Sequence, residues 1–163
     1  MTEAKPPLFS EPSSATLRHA ETDAELRACW PVMQQLRPHL EEGADDFIAR
    51  VRRMQRDSYR LLAVWQGDTA LALAGYRLQE NLVYGGRFLY VDDLVTDEAA
   101  RGTQWGARLI EATTRIADEA GCVRFVLDTG LSNALAQRFY FRQGLLTEAI
   151  RFGRTLGTAG AAA

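Results

Sequence analysis

The chain has 163 residues, close to the usual length of one domain, with 47% hydrophobic and 25% charged residues. This composition excludes a largely disordered chain, a collagen-like repeat and a small disulfide-stapled protein. The formal net charge is −2, so the sequence gives no electrostatic case for binding nucleic acid. We expect one domain at 14–155, with flexible tails at 1–13 and 156–163.

The cysteines and the distribution of apolar residues indicate a cytoplasmic protein. Cys29 and Cys122 lie in apolar stretches and lack the spacing of metal ligands, so we expect two buried free thiols in a reducing compartment. The N-terminal residues contain no apolar core of the kind found in signal peptides. No uncharged apolar run approaches about 18 residues, which predicts that no segment spans a membrane. No metal site is expected.

The first third of the chain predicts one strand followed by two helices. Residues 15–20 are typical of a short strand. Apolar residues at spacings of three and four over 26–36 predict a helix, which Pro31 is expected to kink or restart. A second helix is predicted over 47–54, because the apolar residues of that segment share one face.

Further strands and two more helices are predicted in the rest of the chain. The predicted strands are at 61–65, 70–78, 87–96, 122–128 and 145–154, and the predicted helices are at 105–120 and 132–142. Short turns join the first three of these strands, which predicts an antiparallel meander. Ser132 is expected to cap the last helix. The whole order predicts an α/β (α+β) fold with a mixed central sheet and flanking helices.

The segment LVTDEAARGTQWGARLI (94–110) is a predicted strand that leads through a glycine-containing loop into a helix. It places Gly102 and Gly106 at the helix N-terminus, just after Arg101. Unpaired N–H groups at a helix start suit a phosphate or pyrophosphate, and an arginine adds a charge-assisted contact. The loop is neither a Walker motif nor a dinucleotide fingerprint. An ordinary strand-to-helix connection is the alternative.

A second segment, NALAQRFYFRQGL (133–145), carries Asn133 and Tyr140 seven residues apart. Together with the glycine loop it resembles the GNAT superfamily of acyl-CoA-dependent N-acyltransferases, over roughly 15–155. The sequence is similar to a bacterial branch of small stand-alone acetyltransferases. The resemblance implies the GNAT fold: a mixed central sheet with an antiparallel N-terminal meander, strands splayed at the CoA slot, and flanking helices.

The resemblance also implies acetyl-CoA as cosubstrate and assigns residues to it. The main chain of Leu94, Val95 and Thr96 would pair with the pantetheine arm. Asn133 would bond that arm from the other side, although an ordinary helix cap is the alternative. The pyrophosphate would lie on a loop made of Arg101, Gly102, Thr103, Gln104, Trp105, Gly106 and Ala107.

Gln104 departs from the family pattern, because it stands at the middle glycine of the pyrophosphate motif. Its side chain could crowd the phosphates. It could instead point outward while the Gln104 N–H still donates, and we favour this second interpretation because the remaining positions of the motif fit.

Three side chains are candidates for catalysis. The hydroxyl of Tyr140 stays protonated at neutral pH and could protonate a departing thiolate, although a core aromatic is the alternative. Asp92 and Asp93 interrupt an apolar strand, and alternation places them on opposite faces. Asp92 could act as the base or anchor for the acceptor amine, whereas Asp93 could be structural, paired with Arg77 or Arg87. A bulge in this strand would upset that argument from alternation.

The leading interpretation is an N-acetyltransferase in which a primary amine attacks acetyl-CoA directly in a ternary complex. A non-catalytic CoA-binding or regulatory module on the same fold is the alternative. A nucleotide-binding domain of another family lacks a supporting motif. The acceptor is either a small-molecule amine or a protein amine, and a homodimer is left open.

Overall fold

The computed structural model describes residues 15–157, which fall into two compact units, 15–128 and 129–157. The predicted N-terminal tail, and all but two residues of the predicted C-terminal tail, lie outside the described residues. Within the described part of the chain, no helix is long and apolar enough to cross a membrane.

The first unit contains all the strands among residues 15–157 and three of the helices. Its elements in chain order are β1 (Thr16–His19), α1 (Asp23–Leu36), α2 (Ala44–Met54), β2 (Arg60–Gln66), β3 (Thr69–Asn81), β4 (Gly86–Thr96), α3 (Trp105–Glu119) and β5 (Arg124–Leu127). The second unit contains α4 (Ala134–Arg142). The fold is therefore mixed α/β, as the sequence predicts.

The strands form one five-stranded sheet in the order β1-β2-β3-β4-β5. The first four strands pair antiparallel to their neighbours, and β5 pairs parallel to β4. The predicted meander is therefore confirmed. The change to a parallel pair requires a crossover connection, and α3 provides it.

Helices pack on both faces of the sheet, because both faces of its strands are apolar. In β2, Leu61 and Trp65 belong to a core with α1 and α2, whereas Leu62 and Val64 belong to a second core with α3. Consecutive side chains of a strand point to opposite faces, so a continuous apolar run supplies both cores.

Helix α1 begins with a capping box. The Thr22 side chain accepts from the Glu25 N–H, and the Glu25 carboxylate accepts from the Thr22 N–H. The N–H groups of Thr22 and Glu21 both donate to the Glu25 carboxylate, and these two hydrogen bonds are the main reason that its pKa is lowered to about 2. Pro31 lies inside α1, which does not restart there: one helix runs from Asp23 to Leu36.

Two predictions for the second unit are wrong. The cap of α4 is Asn133 rather than Ser132: the Asn133 side chain accepts from the Ala136 N–H. Residues 145–154 form no strand. The side chains of Leu146, Ile150 and Phe152 are exposed. A strand needs a neighbour to satisfy its N–H and C=O groups, and the apolar residues of a segment do not supply one.

Both cysteines are free. Cys29 is buried in the core with α1 and α2, and burial raises the pKa of its thiol to about 12. Cys122 is half-buried, and its pKa is also raised, chiefly by burial. The prediction of free thiols is confirmed, with Cys122 less buried than expected.

Candidate active site

Strand β5 pairs with only the first half of β4, because β5 ends at Leu127. Their parallel pairing runs from Phe88 opposite Arg124 to Val91 opposite Leu127. Beyond Val91, β4 continues through 92–96 and remains paired with β3, but no strand of residues 15–128 pairs with its other edge. The edge of β4 that the predicted splay would expose is therefore unpaired within residues 15–128.

The unpaired edge contains the three residues whose main chain was assigned to the pantetheine arm. Leu94 and Thr96 are half-buried, and Val95 is buried against α1 and α2. An extended edge of this kind presents N–H and C=O groups in the pattern that another strand, or an extended ligand, can bond.

A β-bulge begins the unpaired segment. Gly75 of β3 lies opposite Asp93, and the next residue, Tyr76, lies opposite Val91. Asp92 is therefore the extra residue of β4. The extra residue interrupts the alternation of faces, and both aspartates reach one polar cluster. The prediction that they lie on opposite faces is wrong.

Asp92 forms an ion pair with Arg77 of β3, in which Nε donates to Oδ2 at 2.8 Å. The Arg77 guanidinium also lies 5.4 Å from the centre of the Tyr59 ring. The pKa of the Asp92 carboxyl is raised, chiefly by burial, although the hydrogen bond and the charge of Arg77 lower it. The Asp92 side chain is 27% exposed, so it combines a raised pKa with access from solvent.

Asp93 is held more tightly than Asp92. Its Oδ2 accepts from the buried Tyr59 hydroxyl at 2.8 Å, and its Oδ1 accepts from Arg37 Nε at 3.0 Å. The Asp93 side chain is only 11% exposed. The expected partners were Arg77 and Arg87, but Arg77 binds Asp92 and Arg87 donates to a main-chain carbonyl. The structural interpretation of Asp93 fits these contacts, with a different arginine.

Gly75 makes room for this cluster. A Cβ atom at Gly75 would lie 2.0 Å from the Tyr59 hydroxyl oxygen and 2.7 Å from Asp93 Oδ2. A glycine inside a predicted strand indicates that another group approaches the backbone closely, so the sequence contained a signal for Gly75. The sequence contained no signal for Arg37 or Tyr59, because each reaches Asp93 from a distant part of the chain.

The loop after β4 brings the chain from the sheet to α3. A 3-10 turn at Glu98–Ala100 is followed by Gly102, whose φ of +81° favours glycine. The Thr103 hydroxyl donates to the Ala100 carbonyl, and Arg101 is exposed. These residues form an open loop in front of the helix.

Gln104 is the N-cap of α3, and its φ is +63°, in the left-handed region. The glycine of the family motif would take this conformation without strain, which gives a physical reason for glycine there. The Gln104 side chain is exposed and makes no capping hydrogen bond. The N–H groups of the first turn, at Trp105, Gly106 and Ala107, are therefore not capped by this side chain.

The second unit carries the other two predicted residues. Asn133 caps α4, as described above, and is exposed. Tyr140 is half-buried, and burial raises the pKa of its hydroxyl. Its ring packs edge-on against Phe139, with ring centres 5.4 Å apart. The hydroxyl makes no side-chain hydrogen bond within residues 15–157.

This chain matches the model of the acetyltransferase (GNAT) family over residues 19–145. It belongs to that family. The match includes β4 and β5, the glycine loop and the segment with Asn133 and Tyr140.

Relatives support the same assignment. The chain is 28% identical over 125 residues to the uncharacterized N-acetyltransferase YhdJ of Bacillus subtilis, a match covering 76% of this chain and 86% of YhdJ. Two solved GNAT-like structures share the fold. One is the aminoglycoside N-acetyltransferase AAC(6')-Iy in complex with CoA, with a TM-score of 0.76, 20% identity and coverage of 91% of this chain and 99% of that one. The other is glucosamine-6-phosphate N-acetyltransferase from Arabidopsis thaliana, with a TM-score of 0.73, 18% identity and coverage of 88% and 99%.

No group of three histidine, cysteine, aspartate or glutamate side chains among residues 15–157 of this acetyltransferase could hold a metal ion. Asp92 and Asp93, at the start of the unpaired segment of β4, are instead paired with arginines.

Proposed function

We propose that this acetyltransferase moves an acetyl group from acetyl-CoA to a primary amine, by direct attack of the amine in a ternary complex. One observation carries the proposal: the unpaired edge of β4 at 92–96 leads, through one short loop, to the uncapped N-terminus of α3. An edge for an extended arm and a helix start for a pyrophosphate therefore follow each other along the chain.

The residues present fit acetyl-CoA, which would supply the activated acetyl thioester. Leu94, Val95 and Thr96 would bond its pantetheine arm through their main chain. A side-chain contact from Asn133 to CoA is proposed on the sequence motif alone. The loop and first turn at 101–107 would hold the pyrophosphate. Main-chain N–H groups would bind the pyrophosphate, so an exposed glutamine side chain at the N-cap of α3 is compatible with that binding.

Asp92 is proposed as the base, or the anchor, for the acceptor amine. An alkylamine has a pKa near 10.4, so it must lose a proton before it attacks a thioester. A carboxylate that is partly exposed, with a pKa raised by burial, accepts a proton more readily than an ordinary aspartate. Asp93, saturated by Tyr59 and Arg37, is proposed as a structural residue of the same cluster.

Tyr140 is proposed as the proton donor to the departing thiolate. Burial raises the pKa of its hydroxyl, which keeps it protonated throughout the neutral range. A phenol that keeps its proton at neutral pH has one to share with the sulfur as the C–S bond breaks and negative charge develops there. This proposed role is supported by the sequence motif and by the protonated state of the hydroxyl at neutral pH.

A small-molecule amine is the proposed acceptor. The names of the relatives support this class, since an aminoglycoside and glucosamine 6-phosphate are both small amines. We further propose a cytoplasmic bacterial enzyme with one catalytic domain at 14–155. The free thiols support the cytoplasmic location, and the Bacillus relative supports a bacterial origin.

Two measurements test the proposal. Acetyl-CoA should raise the melting temperature of ligand-stripped protein, because a ligand that binds only the folded state stabilises it. Gly106→Val should weaken that shift by obstructing the approach of the backbone to the pyrophosphate, and Arg101→Ala should weaken it less. No shift at millimolar acetyl-CoA would contradict the proposal.

The second measurement is the release of CoA thiol with a panel of amines. The panel should contain an aminoglycoside, glucosamine 6-phosphate, a polyamine and a lysine peptide. Binding of acetyl-CoA without turnover on any amine would favour a non-catalytic CoA-binding module.

A further inference from the structure

The end of α1 contacts both ends of the unpaired segment of β4. Arg37, the residue that follows α1, contacts Asp92 and Asp93 where the segment begins. Gln35 contacts the chain where the segment ends: its amide nitrogen donates to Asp97 Oδ1 at 3.1 Å, and its oxygen accepts from the Glu98 N–H at 3.0 Å. One helix end therefore holds this segment at two points.

Arg37 bonds both the bulged residue of β4 and the residue that follows it. Its Nη2 donates to the Asp92 carbonyl oxygen at 2.8 Å, and its Nε donates to Asp93 Oδ1 at 3.0 Å. A bulged residue leaves the regular ladder, so its main-chain groups need another partner. A guanidinium can bond a carbonyl and a carboxylate at once because its donors lie in a fixed fork, which lysine lacks.

We propose that Arg37 is a positioning residue for acetyl transfer, because its two bonds fix the bulge, the Asp92 carboxylate and the unpaired main-chain edge that follows. Arg37 touches neither the thioester nor the amine in this proposal, and it acts through Asp92 and Asp93. The inference rests on the proposed function.

The charges around Asp92 give the proposal a measurable signature. Asp92 is faced by Arg77 from β3, Asp93 from β4, Tyr59 from the segment before β2, and Arg37 from the end of α1. The positive charge of Arg37 lowers the pKa of Asp92. Removing that charge should therefore raise the pKa of Asp92, and the acid limb of the pH–rate profile should move to higher pH.

The test compares Arg37→Gln and Arg37→Lys with Arg27→Gln. Arg27 is an exposed residue of the same helix, and its carboxylate partner is Asp45, away from β4. Arg37→Gln should lower kcat about 10- to 100-fold, as expected for a displaced catalytic group, and it should also raise the KM for acetyl-CoA, because the edge that loosens is the one proposed to bind the pantetheine arm. The acid limb of the pH–rate profile of Arg37→Gln should move to higher pH. Arg37→Lys should return that limb to the parental pH but recover only part of kcat. Arg27→Gln should match the parent in both.

Hydrogen exchange of the free protein provides a second readout. Amides of 92–96 should exchange at least about tenfold faster in Arg37→Gln than in the parent, and at the parental rate in Arg27→Gln. A folded Arg37→Gln with parental kcat, acid limb and exchange would overturn the proposal. If that variant does not fold, Arg37→Lys with parental kcat and exchange would overturn it.

The proposed function can fail separately. If Asp92→Asn keeps the parental pH–rate profile, Asp92 is not the base, and the proposal for Arg37 is then decided by kcat and hydrogen exchange. If no amine of the panel is acetylated, hydrogen exchange of the amides of 92–96 alone decides the proposal for Arg37. Unchanged exchange in Arg37→Gln then counts against that proposal.

Discussion

The hydroxyl of Tyr59 donates to Asp93 Oδ2 at 2.8 Å, in the space that a side chain on Gly75 would occupy. A tyrosine before β2, a glycine of β3 and an aspartate of β4 thus form one layer of contacts beneath the bulge. This layer holds the strand that carries the proposed base, so its disturbance should affect both folding and catalysis.

Gly75→Ala should destabilise the protein. Its methyl group would lie 2.0 Å from the Tyr59 hydroxyl, so the hydrogen bond to Asp93 must break or β3 must shift. We expect a loss of about 1–3 kcal/mol in the free energy of unfolding, measured by urea denaturation. The control is Gly153→Ala, where a Cβ atom would meet nothing within 4 Å. Equal stability of the two variants would contradict this account of Gly75.

Asp92→Asn should lower kcat at neutral pH by about 100-fold and recover as the pH rises, because the acceptor amine then deprotonates unaided. In the parent, activity should fall as the pH drops through the pKa of Asp92, and burial places that fall above the ordinary range of aspartate. The pH–rate profiles of kcat/KM check this, with the exposed Asp118→Asn as control. An anchoring role would appear instead as a raised KM for the amine.

Tyr140→Phe keeps the ring and its edge-on contact with Phe139, and deletes only the hydroxyl. If the hydroxyl protonates the departing thiolate, kcat should fall by about 10²–10⁴-fold with little change in CoA affinity. The loss should shrink at low pH, where solvent protonates the sulfur more readily. Tyr84→Phe is the matched control. Parental kcat in Tyr140→Phe, on an amine for which chemistry limits the rate, would leave Tyr140 as a packing residue.

Gln104→Gly should stabilise the protein, because a residue with a side chain is strained at a φ of +63°. The expected gain is about 1 kcal/mol, read as a higher melting temperature, with an undiminished shift on adding acetyl-CoA. Gly102→Ala should have the opposite effect, since the φ of Gly102 is +81°. If Gln104→Gly lowers the melting temperature, the glutamine side chain makes a stabilising contact.

Glu25→Gln tests the capping box of α1 through its pH dependence. The pKa of Glu25 is lowered to about 2, so its charged form stabilises the fold at neutral pH, and this contribution is lost as the pH falls through that value. The melting temperature of Glu25→Gln should therefore lie below that of the parent at pH 7 and converge with it near pH 2. Glu41→Gln, at an exposed position, should melt like the parent at every pH. A gap that does not change with pH would contradict an electrostatic origin.

The order of elements in the first unit followed from apolar periodicity, because each strand and helix there buries a regular pattern. The strand predicted at 145–154 is wrong, because the apolar residues of a segment are only a local property. A strand exists only where a neighbouring strand pairs with its N–H and C=O groups, and the segment itself does not reveal whether that neighbour is present.

The glycine loop and Tyr140 could be proposed from the sequence because each lies in a contiguous motif, and their roles stay predictions. Residues that join the cluster at β4 through contacts between distant parts of the chain gave no such signal. The sequence could not predict that Asp92 and Asp93 point to the same face of the sheet, because this depends on a bulge, and the bulge depends on how β4 pairs with β3. Arg37 gave no signal, since its role arises from the position where α1 ends above β4.

The state of the two cysteines has a practical consequence for measuring acetyl transfer. Reagents that detect free thiols by disulfide exchange react with the thiolate, and a buried thiol with a pKa of about 12 offers almost none at pH 8. In the folded protein Cys29 should stay silent and Cys122 should react slowly, so the colour that develops reports released CoA. Denaturation exposes both thiols, and the same reagent then measures how much of the protein has lost its core.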